Sequence, residues 1–248
     1  MKEFKLPKEC ICNYLGESGP DYAEKYKKLL KKFGLLGIRV AFDDRKKEAM
    51  KGIISRIGKI HEHNSSGSPV WDIRYEPEIA SSARARSQTL DAFEMHTDAS
   101  FEERPPEYFA MYVIVQDRMG GGRTIIAECA AIISTISEKS RKCLQETKVP
   151  VKVPPEFYKG KKTGLALLVH GMGRMQFRRD TIIDSCLGPE QKLAVDELES
   201  AIRDENNLSQ ILLPEKFIIV IDNSRFLHGR TKILDPRRHL QRIRFDLK

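Results

Sequence analysis

The sequence has no apolar run near the ~20 residues that a membrane helix requires. Its first residues, Met1-Lys2-Glu3-Phe4-Lys5, lack the apolar core of a secretory signal. Cysteine is scarce: five are present, an odd number without a regular framework, which argues against an oxidised scaffold and suits a reducing cytoplasm. Cys10-x-Cys12 comes nearest to a paired-ligand metal motif, and no second pair follows. There is one Trp, no internal repeat, and no linker rich enough in Gly, Ser or Pro to divide the chain. What remains is a chain of 248 residues, 40% hydrophobic and 31% charged, enough for one domain with a substantial core.

Positive charge is in excess, with a net +8. Such a surface attracts anions, nucleic acid included. The cations are scattered, however, and clusters such as Lys27-Lys28, Lys31-Lys32 and Lys159-Gly160-Lys161-Lys162 read as solvated faces. No RNA-binding or zinc-finger signature accompanies them, which argues against a nucleic-acid partner.

Apolar periodicity predicts a helix over 20–32 ending at Gly34, a buried strand over 35–42 and a helix over about 44–57. Residues 63–69 read as a loop, 70–74 as a short strand, and 79–88 as an irregular segment that could cover a site. Strands follow over 90–96, 108–115 and 123–127, then one helix over 128–146. Residues 165–169 and 174–178 read as two strands around His170-Gly171-Met172-Gly173, and 189–203 as an amphipathic helix with Pro in its first turn. The apolar run 217–221 and the alternating 238–247 close the series. Many strands without a βαβ rhythm predict an α+β, mainly β fold, a jelly-roll double sheet with flanking helices. We expect one domain over 1–248 with a helical N-terminal decoration at about 1–60.

Chemistry concentrates in Glu94-Met95-His96-Thr97-Asp98. In a strand, His96 and Asp98 would point to one face. A second imidazole, His228, lies far downstream in Asp222-Asn223-Ser224-Arg225-Phe226-Leu227-His228-Gly229-Arg230. Two His and one carboxylate form the donor set of non-haem Fe(II) oxygenases, although His-x-Asp alone suits a surface strand equally well.

These motifs keep company with Pro105-Pro106, Gly121-Gly122-Arg123-Thr124, His228-Gly229-Arg230-Thr231 and Arg238-His239-Leu240-Gln241-Arg242. In order, and over roughly Trp71 to Lys248, the set resembles the Fe(II)/2-oxoglutarate-dependent dioxygenases of the taurine dioxygenase and clavaminate-synthase-like superfamily. The resemblance implies a double-stranded β-helix core with Fe(II) on His96, Asp98 and His228. It implies that Arg238 pairs with the distal carboxylate of 2-oxoglutarate, that Thr124 supports the same carboxylate, and that Arg242 is a second active-site cation near the cosubstrate or a substrate carboxylate. Related halogenases carry Gly or Ala where Asp98 stands, so the carboxylate implies hydroxylation, or desaturation or cyclisation by the same oxidant.

Elementary chemistry agrees. The triad leaves positions for a bidentate keto acid and O2. An Arg fork matches a carboxylate, and Arg238, Leu240 and Arg242 share one strand face. The competing reading is that Arg237, Arg238, Arg242 and Arg244 guard an exposed edge strand. Arg178, Arg179, Asp180 and Glu102 are candidate substrate contacts, with a salt-bridged rim as the alternative. His170 would be superfluous beside a complete triad. The expected activity is hydroxylation, with Fe(II), 2-oxoglutarate and O2, of a small polar substrate bearing a carboxylate, such as a free amino acid or derivative. The alternatives are an oxygenase acting on RNA or protein, and a non-enzymatic metal-binding jelly roll.

Overall fold

The computed structural model describes residues 1–16, 21–62, 68–79, 85–158 and 160–248. Residues 63–67 and 80–84 of the two expected irregular segments, Pro20 of the first expected helix, and Lys159 lie outside these. The apolar runs assemble into two sheets. The larger has seven strands. Six run in the order Ile11–Tyr14, Leu35–Val40, Phe217–Asp222, Tyr108–Val115, His239–Leu247 and Gly58–His61, and Trp71–Arg74 also pairs with His239–Leu247. The smaller runs Lys2–Glu3, Ser209–Ile211, Thr124–Glu128, Phe226–Arg230, Phe93–His96. The fold is thus mixed α/β and built mainly on sheets.

Alternation decides which side each strand buries. Phe109, Met111, Ile219 and Leu240 of the large sheet meet Ile126, Ile211 and Phe226 of the small one, so this core fills the space between the sheets. The other face of the large sheet, with Ile38, Ile218, Ile243 and Phe245, is covered by Tyr26 and Leu30 of the helix Ala23–Phe33 and by Ile53 and Ile54 of the helix Ala49–Ile57. Phe217–Asp222, sandwiched between both layers, is buried at every position, as its unbroken apolar run requires. A third core lies in the insertion between Thr124–Glu128 and Ser209–Ile211, where Ile132, Leu144, Val195 and Leu198 pack with Phe177. No helix among the described residues is long and apolar enough to cross a membrane.

Several expectations are corrected. The helix expected from about 44 starts at Ala49, because the Asp44 carboxylate accepts the main-chain N–H groups of Glu48 and Ala49, both at 3.0 Å, and holds the preceding turn. The helix expected over 128–146 is two, Cys129–Thr135 and Glu138–Glu146. Ser137 caps the second, and Glu197 of the long helix Pro189–Arg203 accepts from the Ser137 N–H and hydroxyl. A tertiary carboxylate thereby breaks a continuous periodic run. The strands expected over 165–169 and 174–178 are shorter: Thr163–Ala166 pairs with Val149–Lys152, and Val169–His170 with Arg174–Met175. The N-terminal sixty residues are no mere helical decoration, since they supply three strands to the large sheet. One βαβ unit also exists, because Ile11–Tyr14 and Leu35–Val40 pair in parallel across the helix Ala23–Phe33.

The exposed-edge reading of the arginines falls. His239–Leu247 is paired on both sides, by Tyr108–Val115 and by Trp71–Arg74 with Gly58–His61. Arg238, Arg242 and Arg244 are buried, and only Arg237 is largely exposed.

Candidate metal centre

Two strands and one turn bring three donors together. Phe93–His96 and Phe226–Arg230 are antiparallel neighbours, and their register sets His96 directly opposite His228. The imidazoles lie 4.2 Å apart between centroids. Asp98 arrives differently from the strand-periodicity expectation. The strand ends at His96, and Asp98 sits in the turn beyond it. Asn223 holds that turn: its Oδ1 accepts from Asp98 N at 2.7 Å, and its Nδ2 donates to the carbonyls of Asp98 and Pro106, each at 2.9 Å. Thr97 adds an anchor, its N–H donating to the Phe177 carbonyl at 2.7 Å and its hydroxyl accepting from Phe177 N at 3.0 Å. Ala99, at φ 53°, completes the reversal.

Asp98 Oδ1 lies 4.0 Å from His96 Nε2 and 3.9 Å from His228 Nε2. The three donor atoms fall within 4.8 Å of one another, and all three residues are buried. Burial holds both imidazoles neutral: His96 is pushed well below its usual range, and His228 down to about 4. The Asp98 carboxyl is shifted the other way. Burial alone would raise it, but the Arg242 and Arg244 guanidiniums hold it well below the usual carboxylate range. Their contacts are Arg242 Nη1 to Oδ1 at 2.7 Å and Arg244 Nε to Oδ2 at 3.1 Å. His96 Nδ1 lies 2.8 Å from the Glu94 carbonyl, which directs the Nε2 lone pair toward Asp98. Two neutral imidazoles and one carboxylate suit a divalent transition-metal ion. Phe93 stacks on His96 at 4.0 Å and Phe109 lies against His228 at 4.2 Å, so aromatic rings wall the cluster from water.

A narrow cavity between the sheets is lined by His96, His228, Thr124, Arg238 and Arg242. Thr124 is buried on the strand beside that of His228. The Arg238 guanidinium is buried, Nη1 has no partner, and no acceptor among the described residues meets it. Desolvation pushes it down to about 10, so it keeps its charge at neutral pH. The Asp117 charge favours this cation without a hydrogen bond to it; a buried guanidinium so little compensated is costly, and this one is poised for an acidic ligand. Gly122, at φ 58°, approaches Arg238 so closely that a Cβ would sit 2.6 Å from Cδ and Nε.

The weaker candidates separate. Arg178 is buried, forms a fork with Asp180 at 2.7 and 2.9 Å, and lies over the Phe93 ring. Both line a cavity of about 280 Å³ on the far side of Phe93 and His96. Arg179 is engaged by Glu199 and Asp184. Glu102 lines a different cavity with Phe101 and Phe157, and none of the three donors lines that one. Half-buried His170 belongs to the short hairpin and lies outside the cluster. Three contributors have roles that the sequence motifs do not assign. Asn223 gave no signal as a turn anchor. Arg244 enters the sequence reading only as an edge guard, although it extends the alternation Arg238, Leu240, Arg242 by one step. Arg230, two residues after His228, is the third.

The family described as "Taurine catabolism dioxygenase TauD, TfdA family" matches residues 13–244. No curated protein matches the chain at a significant level. Among solved structures, an asparagine oxygenase in complex with Fe(II), 2S,3S-3-hydroxyasparagine and succinate superposes with a TM-score of 0.73 at 16% identity, over 90% of this chain and 79% of that one. The non-haem iron oxygenase OrfP in complex with Fe and alpha-ketoglutaric acid gives 0.69 at 17%, over 91% and 80%. The same enzyme with Fe, succinate and (3S)-hydroxy-L-Arg gives 0.69 at 15%, over 89% and 80%.

Proposed function

Because the chain belongs to the TauD/TfdA dioxygenase family, we propose that His96, Asp98 and His228 hold its iron and that Arg238, with Thr124, receives the distal carboxylate of its 2-oxoglutarate. The chain is an Fe(II)/2-oxoglutarate-dependent oxygenase that uses O2. The observation that carries the site assignment is the juxtaposition of a buried His–Asp–His cluster with a buried guanidinium that meets no acceptor among the described residues. When bound, iron and cosubstrate supply the oxidising chemistry. The chain supplies two neutral nitrogens, a carboxylate fixed by two arginines, a cationic seat and an aromatic wall that excludes water. The two-sheet core is read as a jelly roll carrying the site between its sheets, in a single domain over 1–248.

The substrate reading is hydroxylation of an unactivated C–H bond in a free amino acid or a derivative. The similar structures hold hydroxyasparagine and hydroxyarginine. Arg242 lies on the cavity wall, where it could meet a substrate carboxylate. Arg178 and Asp180 line the neighbouring cavity across His96, and Glu102 lies further away. Anaerobic loading with Fe(II) and 2-oxoglutarate, then aerobic incubation with a panel of free amino acids read as succinate, tests this. Stimulation by one or a few members supports it, and a flat panel removes the amino-acid assignment.

Two milder results should follow. Thr124→Val deletes one hydroxyl facing the seat and should weaken 2-oxoglutarate binding by about 1 kcal/mol, roughly fivefold. Gly122→Ala places a methyl group against Arg238 in a backbone region that disfavours side chains. It should raise the KM for 2-oxoglutarate more than that for substrate. Equal increases would place Arg238 outside cosubstrate binding.

A further inference from the structure

Arg230 is a buried cation whose hydrogen-bond acceptors among the described residues are all main-chain carbonyls. Its Nη1 donates to Ser87 O at 3.0 Å, and its Nη2 to the carbonyls of Thr89 at 2.5 Å, Asp91 at 3.1 Å and Arg86 at 3.2 Å. Four carbonyls of one short strap thus converge on a single guanidinium carried by the strand of His228. The strap is fixed at two further points, by Trp71 Nε1 donating to Ser87 Oγ at 3.0 Å and by Ile233 N donating to Leu90 O at 2.8 Å.

The strap stands between two spaces. Ser87 lines the cavity of His96, His228 and Arg238. Arg86, Thr89, Leu90 and Asp91 line an outer cleft of about 820 Å³ that also contains Arg178 and Asp180. A wall in that place would border a path from the outer cleft to the cluster. Carbonyl dipoles solvate a guanidinium without neutralising it, so Arg230 still feels the like charge of Arg238 on the same cavity wall.

We infer that Arg230 is a positioning residue that staples the strap 86–91 as the wall of the substrate path, and that an anion seated on Arg238 tightens this staple. The second half rests on the oxygenase reading of the site. A carboxylate on Arg238 cancels the repulsion that Arg230 experiences. By linkage, cosubstrate binding and strap closure then favour each other. Both spaces that a substrate must cross answer to one side chain that need not touch it.

Amide hydrogen exchange on the full chain tests this, with Mn(II) in place of Fe(II) and 2-oxoglutarate as the probe, alongside calorimetry of the same binding. In the wild type, 2-oxoglutarate should slow exchange at Ser87–Asp91 by about fivefold or more. In Arg230→Gln, the strap should exchange about tenfold faster than in the ligand-free wild type, and 2-oxoglutarate should no longer slow it. Calorimetry should keep the cosubstrate affinity within about threefold, because Arg238 is untouched. Arg230→Lys, which keeps the charge with fewer donors, should behave as Gln does and stands in for it if Gln fails to fold. A merely structural role would speed exchange but leave its dependence on 2-oxoglutarate intact, and that outcome overturns the coupling. Equal strap exchange in wild type and variants overturns the staple. A wild type that binds no 2-oxoglutarate overturns the oxygenase reading instead, and the metal-free comparison of wild type with Arg230→Lys still decides the staple.

Discussion

His228→Ala is expected to abolish stoichiometric Fe(II) binding and turnover together. The imidazole supplies one of only three donors in the buried cluster. Loss even of a residue that merely orients a metal ligand costs roughly 10–100-fold in affinity, and loss of a ligand should cost more. Equilibrium dialysis under anaerobic conditions measures the binding, and succinate formation the turnover. Iron bound one-to-one by the variant would remove His228 from the set. The same imidazole ties the metal-free protein to pH. Burial holds His228 at about 4 in the folded chain, against ~6.5 for an unfolded histidine. Between these values the unfolded chain binds the extra proton, so folding stability falls as pH drops from about 6.5 toward 4. His96 shifts in the same direction. Thermal melts of the metal-free protein should show this decline, and His228→Ala should flatten it.

Arg238→Lys is the second large effect. The substitution keeps a positive charge but loses the planar fork. A charge-assisted hydrogen bond is worth about 1.5–3 kcal/mol, so the KM for 2-oxoglutarate should rise by roughly 10- to 100-fold. The KM for substrate should move far less. The free enzyme is a more telling comparison. Lys cannot fill the space of a buried guanidinium, yet a buried ammonium sheds its proton more readily than a guanidinium, which relieves the cost of a cation that meets no acceptor among the described residues. The variant should therefore melt at or slightly above the wild-type temperature without ligands and gain less when 2-oxoglutarate is added. An unchanged 2-oxoglutarate dependence would place the cosubstrate elsewhere.

The residues of the cluster were legible because each belongs to a compact motif, and side-chain chemistry narrows what a His, an Asp and a second His can do together. The way they meet was not legible. His96 and Asp98 were expected on one strand face by period two, yet the strand stops and Asn223, 125 residues further along the chain, bends it. Long-range hydrogen bonding of this kind leaves no periodic trace. The divided helix near Ser137 is a similar case, since the side chain that divides it is Glu197. The interior place of His239–Leu247 was half visible: its alternation said strand, but edge or centre depends on partners contributed by residues 58–61, 71–74 and 108–115. Arg230 stood in the motif His228-Gly229-Arg230-Thr231, but its role carried no signal, because its acceptors are main-chain carbonyls, which every residue owns.

The strand His239–Leu247 pairs with segments more than a hundred residues earlier in the chain, and its neighbours cannot be joined without it. It also delivers Arg242 and Arg244 to Asp98. Contacts of such separation form slowly and late, since the loops they close must first lose their freedom. A nascent chain still missing this strand would have both histidines and the aspartate in hand but neither the arginines that fix the aspartate nor a completed large sheet behind the cluster. Iron acquisition is then a report of finished folding, and metal scarcity during synthesis would leave an intact vessel rather than a tangled one.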